Sequence, residues 1–231
     1  MLAMSTGLQD SHLDRTTLRQ QCLTLLRERI ADGTLKPGAR LVETELSAML
    51  DVSRGTVREA LRHLEQEGLV AINDRGRRTV RALDVREVRD IYSVRAALES
   101  MAGCAIAARP DRDTAVAELR ETLEPLRTWA GNFTRQTEAD LAFHRRLCEL
   151  AGNRTLVDTW SQLSGPVRGT IVSAGERAAG HLMSWERHAE LVDAIQSGDC
   201  ARTRIAINTH MEEAAAGIAV TVAANEREEL V

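Results

Sequence analysis

Residues 41–70, LVETELSAMLDVSRGTVREALRHLEQEGLV, limit the possible folds more than any other stretch of the chain. Leu46, Met49 and Leu50 share one helical face, and Asp51-Val52 makes a tight turn. Ser53 is a natural N-cap for a second helix, whose inward stripe is Val57, Ala60, Leu61 and Leu64 and which Gly68 ends. Two short helices about such a turn are the pattern of a helix-turn-helix, whose second helix enters the DNA major groove. Leu69 to Ile72 and Thr79 to Arg81 then read as strands around Asn73-Asp74-Arg75-Gly76-Arg77-Arg78, the polar, glycine-containing loop of a wing. Upstream, Leu18, Cys22, Leu25, Leu26 and Ile30 repeat at helical spacing until Gly33. Lys36-Pro37-Gly38 turns the chain, and Leu41-Val42 reads as a short strand.

A recognition helix needs donors at its N-terminal end. Arg54 and Arg58 lie four apart on one face, and Ser53 and Thr56 add hydroxyls. An arginine can grip guanine O6 and N7 with two bonds, worth roughly 1–3 kcal/mol of discrimination. Gly55 lets the backbone come close, and Arg75, Arg77 and Arg78 on the wing are placed for the minor groove or its phosphates. The bland alternative is a solvated basic helix with ordinary pairing to neighbours such as Glu59. Helix, turn, helix and wing in this order favour the first reading, and the charge distribution marks the N-terminal part as the one to meet phosphates. The whole chain is at −4, yet His12 to Ala82 holds thirteen Lys and Arg against ten Asp and Glu, a balance of +3. The remainder, seventeen against twenty-four, stands at −7.

Beyond Ala82 the texture becomes wholly helical. With 43% hydrophobic residues in 231 the chain can bury a core, and aromatics at 3% favour helix over sheet. Val85, Val88, Ile91, Val94, Leu98, Met101 and Ala105 trace a long helix closed by Arg109-Pro110. Further helices are expected near Thr114–Trp129 (kinked or shortened by Pro125), Thr137–Leu150, Thr155–Leu163, Val167–Ala174, Ser184–Gln196 and Asp199–Ala223. The fold class is therefore mostly α: a winged helix-turn-helix over 12–82 and an all-helical bundle over 84–224, with the boundary near Leu83 and a loose tail at Met1 to Asp14. Cys22, Cys104, Cys148 and Cys200 are scattered without a CxxC pair, which reads as buried reduced thiols in a cytosolic protein. No apolar run approaches the ~18 residues of a membrane span, and no secretion signal is visible, so a cytoplasmic location without membrane contact is expected.

Within the bundle one set of residues carries chemistry. Asp140 and His144 are i and i+4 on one helix; His188 shares a stripe with Leu191, Val192 and Ile195; His210 shares one with Ile207, Met211, Ala214 and Ile218. A lone histidine on an apolar face is usually a satisfied core residue. Three of them with a carboxylate make a first shell for a divalent ion. His12, His63 and His181 have no such context.

A family resemblance now becomes specific. ELSAMLDVSRGTVREALRHLEQEGLV, preceded by GTLKPGARL, closely resembles the winged helix-turn-helix of the GntR family of bacterial transcription regulators, over about Thr16 to Ala82. The resemblance implies that Arg54 and Arg58 contact the operator and that a wing residue near Arg75 enters the minor groove. Thr44 stands where members often carry arginine, and Gly55-Thr56 replaces a common Thr-Pro or Thr-Thr, so the family's base preference does not carry over to this chain. YSVRAALES, DLAFHRRLCELAGN and ERHAELVDAIQSGDCARTRIAINTHM resemble the helical effector-binding domain (FCD) of the FadR-type branch, over about Val85 to Val222. That domain implies a zinc, nickel or other divalent site at Asp140, His144, His188 and His210. It also implies a cavity-facing Arg95 that pairs with an effector carboxylate, where the plain alternative is an ion pair with Glu99 at i+4.

The expected protein is a regulator rather than an enzyme. As a homodimer it would read a palindromic double-stranded operator and sense a small organic acid in a metal-containing pocket. Repression relieved by effector is the commoner logic. Two rivals stand beside it: a DNA-binding regulator whose metal and bundle serve only structure and dimerisation, and a metal-dependent hydrolase or lyase, for which no nearby base or nucleophile is apparent.

Overall fold

The computed structural model describes residues 17–228 apart from 74 and 83. The expected loose tail, the domain start at His12 and the boundary at Leu83 lie outside the described residues. Within them, nine α-helices and one two-stranded sheet form two hydrophobic cores.

The N-terminal unit holds α1 (Leu18–Ala31), α2 (Glu43–Leu50), α3 (Arg54–Gln66), β1 (Val70–Ile72) and β2 (Arg78–Val80). Thr17 caps α1, its hydroxyl accepting from Gln20 N. Cys22, Leu23, Leu26 and Ile30 face inward, whereas Leu18, expected in that stripe, is 60% exposed at the helix end. The α2–α3 turn is made by Asp51 at φ 50°, a left-handed position that aspartate tolerates better than most residues. Val57, Ala60, Leu61 and Leu64 form the centre of the core, as their spacing predicts. Met49 does not join them. It is 76% exposed, because α2 turns only Leu46 fully inward. The wing is antiparallel, with Val70 opposite Val80, and Arg40 forms an isolated bridge to Thr79 where a strand at Leu41-Val42 was expected. Val42 instead is the N-cap of α2.

The C-terminal unit holds α4 (Val85–Ala107), α5 (Arg112–Thr128), α6 (Phe133–Leu150), α7 (Arg154–Ala179), a 3-10 turn (Gly180–Met183), α8 (Trp185–Gln196) and α9 (Cys200–Glu228). Asp84 caps α4, accepting from Glu87 N at 2.6 Å. The inward face of α4 runs through Val88, Ile91, Tyr92, Arg95, Glu99, Ala102 and Ile106. Val94, Met101 and Ala105 from the expected stripe stay exposed, since a seven-residue repeat drifts around a straight helix. Pro125 sits in the last turn of α5, which ends three residues on.

Two sequence expectations fail here. The helices expected at Thr155–Leu163 and Val167–Ala174 are one, because α7 passes through Pro166 without a break and is interrupted only at Gly175 (φ 74°, ψ 171°). The four cysteines are not all free thiols: Cys22 and Cys148 are free and buried, but Cys104 on α4 and Cys200 at the start of α9 are disulfide-bonded. The packing of α4 along α9 brings their Cα atoms to 4.7 Å, a pairing that a separation of 96 residues conceals.

The two units meet along α7. A Cβ at Gly165 would lie 2.5 Å from the Gln66 carbonyl oxygen, and one at Gly169 would lie 3.0 Å from that of Gly68. Val172, one turn on, is buried in the N-terminal core. Glycines spaced by four thus let α7 lie directly on the backbone at the end of α3.

Candidate functional site

The first site is the surface around α3. Ser53 caps the helix, its hydroxyl accepting from Thr56 N at 3.1 Å and lying 2.9 Å from Thr56 Oγ1. Both hydroxyls are therefore engaged with each other at the helix start. Arg54 is exposed at the first position of α3. Arg58, one turn on, is half exposed but bonded through Nε and Nη2 to the Glu43 carboxylate on α2, at 2.8–3.1 Å. Those bonds hold the Glu43 carboxyl below its usual range, against the effect of burial and with the Arg58 and Arg78 charges adding. Glu43 was not singled out from sequence, since only the docking of α2 on α3 reveals it. In the wing, Asn73 Oδ1 accepts from the backbone N–H groups of Arg75 and Arg77, both at 3.0 Å, which sets the loop that projects these two exposed side chains. Arg78, grouped with them in the sequence, turns back to bond Glu43 and Glu65 and serves the wing's attachment to the helices.

The second site is buried between α4, α6, α8 and α9. His144, His188 and His210 lie with one ligand atom each within 4.8 Å of one another. Asp140 Oδ1 is 3.0 Å from His188 Nε2 and 3.8 Å from His144 Nε2. Folding therefore gathers all four residues singled out from helical spacing. Arg95 lies beside them, 2% exposed, with Nε donating to Glu99 Oε1 at 2.8 Å and Nη2 3.8 Å from Asp140 Oδ2. The ion pair with Glu99 and the cavity-facing position thus coexist in one side chain.

Hydrogen-bond logic tests whether this donor set suits a cation. His188 Nδ1 lies 2.8 Å from the Ser184 carbonyl oxygen, which only accepts, so that nitrogen carries the proton. His144 Nδ1 lies 2.5 Å from Glu99 Oε2, and the same reasoning applies. With neutral rings, both Nε2 lone pairs then face each other at 3.1 Å, with the Asp140 carboxylate against them. Lone pairs gathered in this way lack a proton to share, and a divalent ion satisfies them. Asp140 Oδ2 and Arg95 Nη2, both buried, have no hydrogen-bond partner.

The electrostatics agree. Burial pushes His144 below its ordinary value, and the neighbouring Arg95 adds to this, against the pull of Glu99 and Asp140. Burial, followed by the adjacent His188 and His144, puts His210 well below it. Burial would raise the Asp140 carboxyl, but His144, His188 and Arg95 outweigh it and hold the group far below the carboxylate range. Neutral imidazoles with an ionised carboxylate are the protonation states that ligation requires.

A winged helix-turn-helix carried on an all-helical bundle with a buried polar pocket defines a ligand-responsive, DNA-binding regulator. Residues 18–80 match the bacterial regulatory proteins of the gntR family and residues 90–213 match the FCD domain; the chain belongs to the GntR family. It is 30% identical over 201 residues to a probable D-xylose utilization operon transcriptional repressor of Paenarthrobacter nicotinovorans, covering 86% of this chain and 88% of that one. It is 32% identical over 206 residues to an HTH-type transcriptional regulator from an unstable DNA locus of Streptomyces ambofaciens, covering 84% and 82%. Among solved structures, a putative GntR transcriptional regulator from Rhodococcus sp. RHA1 superposes with a TM-score of 0.61 at 30% identity, covering 87% and 96%. These relatives are transcriptional regulators and not enzymes. No helix among the described residues is long and apolar enough to cross a membrane.

Proposed function

We propose that this chain is a cytoplasmic, homodimeric repressor that reads a palindromic operator through Ser53, Arg54, Thr56, Arg58, Arg75 and Arg77. A small carboxylate, sensed at a divalent metal held by Asp140, His144, His188 and His210, relieves the repression. The observation that carries the reading is the convergence of three buried histidines and an ionised carboxylate beside Arg95 Nη2, which has no hydrogen-bond partner. When bound, zinc or nickel supplies a Lewis-acidic centre with positions left for an effector oxygen. Arg95, whose second nitrogen already has a carboxylate partner in Glu99, offers its remaining donors to the effector's other oxygen.

The pocket bounded by Arg95, Asp140, Leu182, Met183 and His210 holds about 10 Å³ of free space, room for one water. An organic acid therefore has to open it. Leu182 and Met183 belong to the 3-10 turn that follows the Gly175 interruption of α7, and Ala31 of the N-terminal unit packs against Gly175. Displacing the turn is felt at the domain junction, which gives the effector the unequal affinity for two arrangements that a switch requires. In support of a dimer, Val94 and Met101 on α4 and Ile205 on α9 are 45%, 57% and 67% exposed, apolar surface suited to a second copy.

The test is elemental analysis of tag-free protein and of His188→Ala and His210→Ala, followed by operator-binding assays with small carboxylic acids. About one zinc or nickel per chain, diminished in both variants, is expected. Full occupancy in both would remove those ligands. Metal loading with no acid altering operator affinity would favour the second reading, in which the metal and bundle serve structure alone.

A further inference from the structure

Glu99 is completely buried on α4 and receives three donors from three helices. Arg95 Nε reaches Oε1 at 2.8 Å, Trp160 Nε1 from α7 reaches the same oxygen at 3.0 Å, and His144 Nδ1 lies 2.5 Å from Oε2. Nothing in the sequence distinguished it from an ordinary i,i+4 partner of Arg95. Arg95 Nε and Trp160 Nε1 can only donate, so Glu99 accepts both bonds on Oε1 as a carboxylate. An ionised carboxylate only accepts hydrogen bonds, so the His144 proton sits on Nδ1 and the Nε2 lone pair is left to the cluster.

We propose that Glu99 is the positioning residue of the metal centre: it holds His144 as an Nε2 ligand and joins that ligand to Arg95 and, through Trp160, to α7. This role rests on the metal reading above and deepens it. A ligating imidazole needs its second nitrogen fixed, and a carboxylate there sets both ring orientation and tautomer. His188 has the same arrangement with a backbone carbonyl, from Ser184, in the carboxylate's place. Of these two histidines, only His144 is tied through its carboxylate partner to Arg95. The same carboxylate oxygen bonds Arg95 and Trp160, so a shift of Arg95 towards a ligand redistributes the bonds that reach His144 and α7. That helix lies on the DNA-binding unit through Gly165 and Gly169.

The test has two arms. In the first, zinc and nickel affinities of the full-length wild type and Glu99→Gln are measured by competition with a chromophoric chelator. Loss of a second-sphere partner is expected to weaken binding about 10- to 100-fold. A Gln amide can donate to Nδ1 and so favour the Nε2–H tautomer, which cannot ligate through Nε2. Glu99→Gln/Arg95→Gln separates positioning from charge balance: affinity stays low if Glu99 positions His144, and returns to the wild-type value if Glu99 only neutralises Arg95, which would overturn the proposal. In the second arm, long-range ¹H–¹⁵N histidine spectra of metal-free wild type assign the His144 tautomer, independent of whether any variant folds. Nδ1–H is expected, and Nε2–H overturns the role. Wild-type protein that takes up neither metal defeats the metal centre itself. Wild type that loads metal while Glu99→Gln loads it equally well defeats only the Glu99 assignment.

Discussion

At the scale of single residues the bundle contains an unusual quantity of buried polarity. Arg95, Glu99, Asp140, His144, His188 and His210 are all buried, and pairing with one another, with Trp160 and with the Ser184 carbonyl makes that tolerable. This has a consequence for acid stability. His210 sits well below its ordinary value of 6.5 and His144 is lowered too, so between the folded and unfolded values the unfolded chain binds more protons. Stability is therefore full above about pH 6.5 and falls as pH drops below it. Asp140 acts in the same direction lower down: its contribution is present above the unfolded value of 3.8 and is lost as pH falls through its depressed folded value. Urea midpoints of chelator-treated protein are expected to be lower at pH 5.5 than at pH 7.5, and a midpoint independent of pH would contradict the neutral, buried state of these imidazoles. The four ligand candidates were legible because a helix repeats every 3.6 residues and the sequence places each on a buried face. The roles of Glu99 and Trp160 were not, because the bonds that link His144 to Glu99 and Glu99 to Trp160 cross between α6, α4 and α7.

At the scale of elements α7 has the most to do. One face carries Trp160 and Ile171 into the bundle; the other presents Gly165, Gly169 and Val172 to the N-terminal unit. Its continuity through Pro166 could not be read locally, since proline removes a backbone donor and crowds the preceding turn. Packing on both sides outweighs that local cost, as tertiary contacts supply most of a helix's stability. Gly165→Ala tests the docking. The new methyl would meet the backbone of Gln66 and Glu67, which cannot swing aside as a side chain can. The gain in helix propensity, about 1 kcal/mol, is expected to be exceeded by a packing cost of roughly 1–3 kcal/mol. Calorimetry should show a lowered or split transition. Gly180→Ala, where the added carbon meets only Glu176 Cγ at 3.6 Å, should leave the transition in place. An unchanged transition for Gly165→Ala would mean that α7 does not bear on the N-terminal unit in this way.

At the scale of the whole molecule the two units differ in charge as well as in fold. The segment from His12 to Ala82 stands at +3 and the rest of the chain at −7, so the acidic bundle steers DNA towards the basic end. Operator affinity, measured on a site selected from random duplexes, should fall steeply with salt as phosphate counterions are released. Arg54→Ala should weaken it by roughly 1–3 kcal/mol at fixed salt without changing the melting behaviour. A flat salt response, or wild-type affinity in the variant, would remove the proposed contacts. Arg58 differs in kind. Its guanidinium is held by Glu43, so it enters the groove only by exchanging a carboxylate for a base edge or phosphate.

Sequence alone determined the class of both units, most of the element order apart from the strand expected at Leu41-Val42 and the unbroken α7, and the helix faces that carry the four candidate cation ligands. All of these depend on periodicity, caps and turn residues, which act over a few positions. Tertiary structure decided what periodicity cannot carry: that Arg78 turns inward, that Met49, Val94 and Met101 stay exposed, that Cys104 meets Cys200, and that Glu99 stands behind His144. Each depends on which helix faces which, and that is settled by packing between segments tens of residues apart, where no local pattern leaves a trace.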